Sequence, residues 1–314
     1  MKKIFKILLI LILVLTVLAS VFWLTRPKDI SFEEYKSIFP YTEFSHFVDV
    51  HGVRLHYQEK GEGTPLILLH GLASSTYTWR NLFEPLSKNY RVIAVDLKGF
   101  GFSEKPDGDY SRPEQARLVI GLMKSLQIEK AIICGNSMGG EVALNIAIQE
   151  PNRVKSLILL DNGGMKVSGG GSLVPFYLQT PYINRLLTAL AMTSNKLVRQ
   201  GLEKSYFDDS KVSDETVAKY YLPVTGTDGQ RGVLLARQQA SNGEIEAQIS
   251  QINIPTLIIW GAEDEVIPLE AGKKINSLIK DSKLVIYENC GHLPQEEMPE
   301  RSLADIIEFL KKYA

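Results

Sequence analysis

The chain has 314 residues, 45% of them hydrophobic and 23% charged, with a formal net charge of −1. That composition suits one large α/β domain or two modest ones, and the balanced charge gives no basic field for a nucleic-acid partner. Cys134 and Cys290 are too few for a disulfide scaffold, and no residues fall at metal-ligand spacing, so neither a metal nor a cofactor is expected.

The N-terminus differs in kind from the rest. Lys2, Lys3 and Lys6 precede an apolar or small stretch from Ile7 to Leu24. About 18 such residues at 1.5 Å rise come close to spanning a hydrocarbon core of ~30 Å. The best cleavage candidate, Leu18-Ala19-Ser20, places a bulky Leu where a small residue is wanted. No Cys follows to take a lipid. Residues 1–28 therefore read as an uncleaved signal anchor, with Trp23 at the interface and the lysines on the cytoplasmic side. The catalytic part is then expected outside the cytoplasm. Cleavage and secretion is the alternative.

Residues 29–42 read as a polar stalk with some helical character. From Glu43 the pattern alternates: "EFSHFVDV" and "VRLHYQE" flank His51-Gly52 as a hairpin. His46, His51 and His56 are read there as surface or turn histidines. Beyond it, "PLILLHG", "RVIAVDLKGFGFSEKP", "AIICG", "VKSLILLDNGG", "IPTLIIWGAEDEVIP" and "SKLVIYENCGH" are apolar runs separated by helical segments such as 113–126 and 141–149. That rhythm marks a mostly parallel sheet covered on both faces. Cys134, inside one run, reads as a small apolar residue.

Between 162 and about 246 the strand rhythm lapses. The Gly-rich start and the apolar series Phe176, Tyr177, Leu178, Tyr182, Ile183, Leu186, Leu187 and Leu190 suggest a helical cap inserted between two strands.

Gly135-Asn136-Ser137-Met138-Gly139 fits G-x-S-x-G between a strand and a helix. Such a turn lifts the serine hydroxyl clear of the backbone, beside the helix N-terminus. A serine needs a base held by a carboxylate. His292 follows the last strand, and Glu263, Asp264 and Glu265 stand after the strand before it, in the order Ser, acid, His.

From residue 43 to the end the chain resembles the α/β-hydrolase fold superfamily. The likeness rests on His70-Gly71, Asp96-x-x-Gly99-x-Gly101-x-Ser103, Gly135 to Gly140, Trp260-Gly261-x-x-Asp264-x-x-x-Pro268 and Gly291-His292. It implies an eight-stranded-type α/β sheet with helices on both faces and a helical cap, here behind one N-terminal transmembrane helix. By the same resemblance Ser137 is the nucleophile, Asp264 the orienting acid and His292 the base, with Leu72 and Met138 N–H groups as the oxyanion hole. Asp161 is the runner-up acid, and His70 a structural histidine.

Within the superfamily, Ser137 argues against the members that use an Asp nucleophile on halides or epoxides. "GNSMGG" is shared by lipases of the monoacylglycerol-lipase type and by hydrolases that cleave C–C bonds of ring-fission products. The latter typically place Trp after the histidine, where this chain has Leu293. Leu293 and the anchor together favour a membrane-anchored serine esterase or lipase acting on lipid-like carboxylic esters. The C–C hydrolase is the alternative, and a catalytically silent binding module a lesser one. A small-molecule substrate and the membrane are the expected partners, and the oligomeric state is left open.

Overall fold

The computed structural model describes residues 2–24, 27–166, 194–240 and 243–313. Its centre is an eight-stranded sheet: β1 Ser45–Val50, β2 Val53–Lys60, β3 Pro65–Leu69, β4 Arg91–Val95, β5 Ala131–Asn136, β6 Val154–Leu160, β7 Thr256–Gly261 and β8 Ser282–Tyr287. The spatial order is β1-β2-β4-β3-β5-β6-β7-β8. β1 and β2 are antiparallel to each other, and β2 is antiparallel to β4. Every other neighbouring pair is parallel. The expected α/β-hydrolase sheet is present.

The unbroken apolar runs follow from a sheet buried on both faces. Successive side chains point to opposite sides. Ile67 and Leu69, Ile93, Ile133, Leu159, Ile258 and Trp260 join the helices Arg112–Ser125, Met138–Gln149 and Leu269–Leu278 in one core. Leu66 and Leu68, Val92, Ile132, Cys134, Ile158 and Ile259 meet Trp79, Phe83, Ile306 and Phe309 in the other. Cys134 fills space there, and burial pushes its thiol well up. Each fully buried Leu or Ile contributes about 1.5–3 kcal/mol, so the strands can dispense with polar faces.

Between β6 and β7 the described residues include helices Asn195–Ser205, Asp214–Thr225 and Thr227–Gln238. They lie over the sheet: Leu202, Tyr206, Val217 and Tyr220 pack with Phe39, Tyr77 and Leu293. The apolar series from Phe176 to Leu190 lies outside the described residues.

The N-terminal helix Lys2–Leu24 has 23 residues, about 34 Å at 1.5 Å each. Its segment Lys3–Val21 is long and apolar enough to be a signal anchor or membrane span. Residues 29–42 are held against the body. Asp29 accepts the Asp228 and Gly229 N–H groups at the start of helix Thr227–Gln238, Phe39 is buried, and Gln58 Nε2 donates to Pro40 O (2.8 Å).

Candidate active site

The parallel strands all end on one edge of the sheet, so the loops that leave them gather there. His70 and Gly71 come directly after β3, Ser137 after β5, Asp161 after β6, Asp264 after β7 and His292 after β8.

Ser137 stands at φ 53, ψ −119, which a non-glycine residue adopts only when its surroundings hold it there. Its N–H donates to Leu160 O (3.0 Å), and its C=O accepts from Gly140, Glu141 and Gly163. The turn requires glycine on either side. A Cβ on Gly135 would lie 2.3 Å from Gly139 O, and one on Gly139 2.2 Å from Leu69 O. The Ser137 side chain makes no capping bond with its own helix and borders a cavity instead. Met138 opens that helix, so its N–H has no intrahelical acceptor. Leu72 lies in the loop after β3, which passes so close that a Cβ on Gly71 would sit 3.2 Å from Ser137 Cβ.

Asp264 and His292 meet. His292 Nδ1 lies 2.7 Å from Asp264 Oδ2, while Asp264 Oδ1 accepts the Val266 and Ile267 N–H groups (2.7 and 2.9 Å). The carboxylate is thereby fixed in place. His292 N–H donates to Ser205 O (2.7 Å), and His292 O accepts from Asn136 Nδ2 (3.1 Å), tying the histidine loop to the end of β5, next to Ser137. The carboxylate is the ring's one side-chain partner among the described residues. Contact with a nucleophile commonly closes only around substrate. Glu265 is exposed, whereas Glu263 accepts the Cys290 N–H (3.0 Å).

Ser137 and His292 border a cavity of about 340 Å³. Leu72, Leu197, Val198, Leu202, Val224 and Leu293 make its apolar wall, with Ser74, Ser205 and Tyr220 as polar points. No Lys, Arg, Asp or Glu is among the described lining residues. Asp161, Asp264 and His292 also place one ligand atom each within 4.8 Å of one another, as a metal site could. The 2.7 Å contact between Asp264 and His292 is, however, the distance of a shared proton.

His70 is structural by its bonding. Its Nδ1 donates to Gly71 O (2.7 Å), its Nε2 accepts the Leu97 N–H (3.0 Å), and burial lowers its pKa. The surface reading of His56 is corrected. It is fully buried, with Nδ1 2.7 Å from Asp96 and Nε2 2.8 Å from Ser45 Oγ, under the rings of Phe32, Phe47 and Phe102. Asp96 also accepts the Thr76 and Phe102 N–H groups, binding the loop after β3 to the loop after β4.

One cluster escaped the sequence. The buried Glu296 carboxylate accepts from Thr78 Oγ1 (2.5 Å), Arg80 Nη1 (2.5 Å), Tyr206 OH (2.7 Å) and Tyr220 OH. Tyr206 and Tyr220 belong to the helical insertion and the others to the body. The clamp sits four residues after His292, and Tyr220 lines the cavity. Burial and the Glu296 charge push the Tyr220 hydroxyl well up, so it stays a donor.

A serine at a helix N-terminus and an imidazole oriented by a carboxylate, bordering one cavity, make a constellation for acyl transfer. Comparisons with known proteins agree on the family. The family model described as alpha/beta hydrolase fold matches residues 64–299. The 2-hydroxy-6-oxo-6-phenylhexa-2,4-dienoate hydrolase of Comamonas testosteroni is 31% identical over 272 residues, covering 84% of this chain and 93% of its own. The structure of the meta-cleavage product hydrolase of Pseudomonas fluorescens IP01 superposes with TM-score 0.75 at 30% identity, over 87% of this chain and 99% of that one. A membrane phospholipase A superposes with TM-score 0.73 at 26% identity, over 99% of this chain and 98% of that one. The expectation of an esterase or lipase acting on lipid-like carboxylic esters is corrected by the relatives that act on meta-cleavage products. It leaned on Leu293, a single position, and on the anchor, which says where a domain sits and not which bond it breaks. The chain belongs to the alpha/beta hydrolase fold family.

Proposed function

We propose that the chain is a serine hydrolase that cleaves the carbon–carbon bond beside the 6-oxo group of 2-hydroxy-6-oxo-dienoates. The observation that carries this reading is the 31% identity, across almost the whole domain, with a hydrolase of such a dienoate. Ser137 is the nucleophile, His292 the base, Asp264 its orienting acid, and the Leu72 and Met138 N–H groups the oxyanion hole.

Carbon leaves poorly unless its electron pair is delocalised. When the 2-hydroxy dienoate ketonises, C5 becomes CH2, and a pair left there spreads through the C3–C4 double bond onto the 2-oxo oxygen. Ser137 Oγ adds to the C6 carbonyl as His292 Nε2 takes its proton. Two N–H donors meet the resulting oxyanion, at roughly 2.7–4 kcal/mol per donor. Collapse breaks the C5–C6 bond. The leaving dienolate takes a proton from the imidazolium to end as a 2-hydroxypentadienoate, and water then releases the acyl group from Ser137 as a carboxylic acid. The apolar wall supports an apolar 6-substituent. The substrate carboxylate would lie toward Ser74 and Ser205, the polar points of the wall.

The test is to incubate purified protein with 2-hydroxy-6-oxo-6-phenylhexa-2,4-dienoate, measuring loss of its absorbance and release of benzoate. Equimolar benzoate and 2-hydroxypentadienoate are expected, with kcat/KM well above that for p-nitrophenyl butyrate. Rapid ester turnover with an untouched dienoate would refute the reading.

The assignment of residues 1–28 to a retained single-pass anchor, 29–42 to a connecting segment, 43–314 to the catalytic domain and about 162–246 to a cap is part of this proposal. It is supported by the apolar helix and by the likeness to a membrane phospholipase A over nearly the full chain. The lysine bias of the helix supports a catalytic domain outside the cytoplasm.

A further inference from the structure

Asp161 is the acidic residue that this relay leaves unused. It follows β6, is fully buried, and stands at φ 42, where glycine is at ease and Asn or Asp least strained among the rest. Its N–H donates to Ile259 O (3.1 Å), and its Oδ1 accepts the Gly261 N–H (2.9 Å). Its Oδ2 is buried without a hydrogen-bond partner. A carboxyl oxygen of Asp161, one of Asp264 and a ring nitrogen of His292 lie within 4.8 Å of one another.

The titratable groups facing Asp161 are Asp264 from the loop after β7, and His292, Cys290 and Glu297 from the segment after β8. None offers it a permanent positive charge. His292 already gives Nδ1 to Asp264, and burial pushes the Cys290 thiol up, leaving it neutral. Two carboxylates so close, out of water and beside an imidazole that bonds only one of them, cannot both ionise at modest cost. Burial and the Asp264 charge hold the Asp161 carboxyl well above the ordinary carboxylate range.

We propose that Asp161 is a positioning residue, a carboxylic acid whose Oδ2 proton faces the Asp264 carboxylate and steadies the charge that orients His292. The inference rests on the roles given to Asp264 and His292 above. No proton leaves Asp161 during turnover. It acts through Asp264 alone.

The test compares Asp161→Gly and Asp161→Asn with the wild type, reading kcat, KM, the pH profile and Tm. Glycine removes the carboxyl at a φ that suits it. Asn keeps the size, an acceptor for Gly261 and an N–H donor toward Asp264. Asp161→Gly should lower kcat roughly ten- to hundredfold, the worth of one hydrogen bond to a charged group, with KM nearly unchanged. Asp161→Asn should recover most of that loss, with the acid limb of kcat/KM where the wild type has it. If Asp161 were ionised, Asn would remove a negative charge near the imidazolium, and the acid limb would move to lower pH. That displacement, or an Asp161→Gly enzyme as active as the wild type, overturns the proposal. Should the Gly variant fail to fold, the Asn profile still decides. Failure of the relay itself is distinguishable, because Ser137→Ala would then keep its turnover.

Discussion

Ser137, Asp264 and His292 come from three strand ends, yet each is made legible by its own neighbours in sequence. Glycines crowd Ser137, Trp260-Gly261 precedes Asp264 and Gly291 precedes His292, because close backbone approach is needed at each place. A Cβ on Gly261 would lie 2.0 Å from Gly291 O. Fluorophosphonate should label Ser137, and Ser137→Ala should lose both labelling and nearly all turnover. His292→Ala should cost a similar factor, and the double variant scarcely more, since such residues act as a unit. Asp264→Asn should lower kcat by roughly 10³–10⁴, because the ring loses the partner that fixes its tautomer. Steady-state kinetics and gel labelling check all of these, and normal labelling of Ser137→Ala would remove the nucleophile. His56 defeats a local reading because alternation along β2 suggests an outward face. That face is covered by Phe32 and Phe102, both distant in sequence.

Elements were legible where burial imposes a simple pattern. The central residues of β3 to β7 are mostly apolar because helices cover both faces. Joints between elements were not, since no local pattern announces them. The Glu296 clamp draws on Thr78 and Arg80 in the segment after β3, Tyr206 and Tyr220 in the insertion, and Glu296 itself. Breaking a buried pair by removing one partner typically costs about 3–5 kcal/mol, since it strands the other charge. The Glu296 side chain is fully buried and that of Arg80 is 19% exposed, so the lower end of that range applies. Glu296→Ala should therefore lower the urea midpoint. It should also raise KM more than it lowers kcat, because Tyr220 loses the bond that seats it on the cavity wall. Glu296→Gln, which keeps the shape but not the charge, should fall between. Unchanged stability in Glu296→Ala would show that the clamp is incidental.

At the scale of the molecule, the fold was legible from the succession of motifs, and the choice of bond to be broken was not. Substrate preference depends on a cavity wall assembled from the loop after β3, the insertion and the histidine loop, and no one of these segments contains it. Residues 29–42 show the same thing: their composition reads as a tether, yet they are fastened to the body at several points. The Asp29 carboxylate faces the first turn of helix Thr227–Gln238, where an anion suits the unpaired N–H groups and typically contributes about 0.3–1 kcal/mol. Gly226 is needed at that contact, because a Cβ there would lie 2.5 Å from Asp29 Cα. Phe39 packs edge-on to Tyr77 and Phe102, and losing a buried Phe costs about 3–5 kcal/mol. Two truncations should therefore behave differently. Removing residues 2–27 should leave Tm and dienoate turnover unchanged and move the protein from the membrane fraction to the soluble one. Removing residues 2–40 should lower Tm by about 5–10 °C, because a loss of several kcal/mol shifts the midpoint by about 2 °C per kcal/mol in a domain of this size. The full-length chain should sediment with membranes, resist alkaline carbonate and be shaved by protease added outside intact cells. Equal Tm values for the two truncations would mean that residues 28–40 contribute nothing to the fold, and a mature protein starting near Val21 in the medium would remove the anchor.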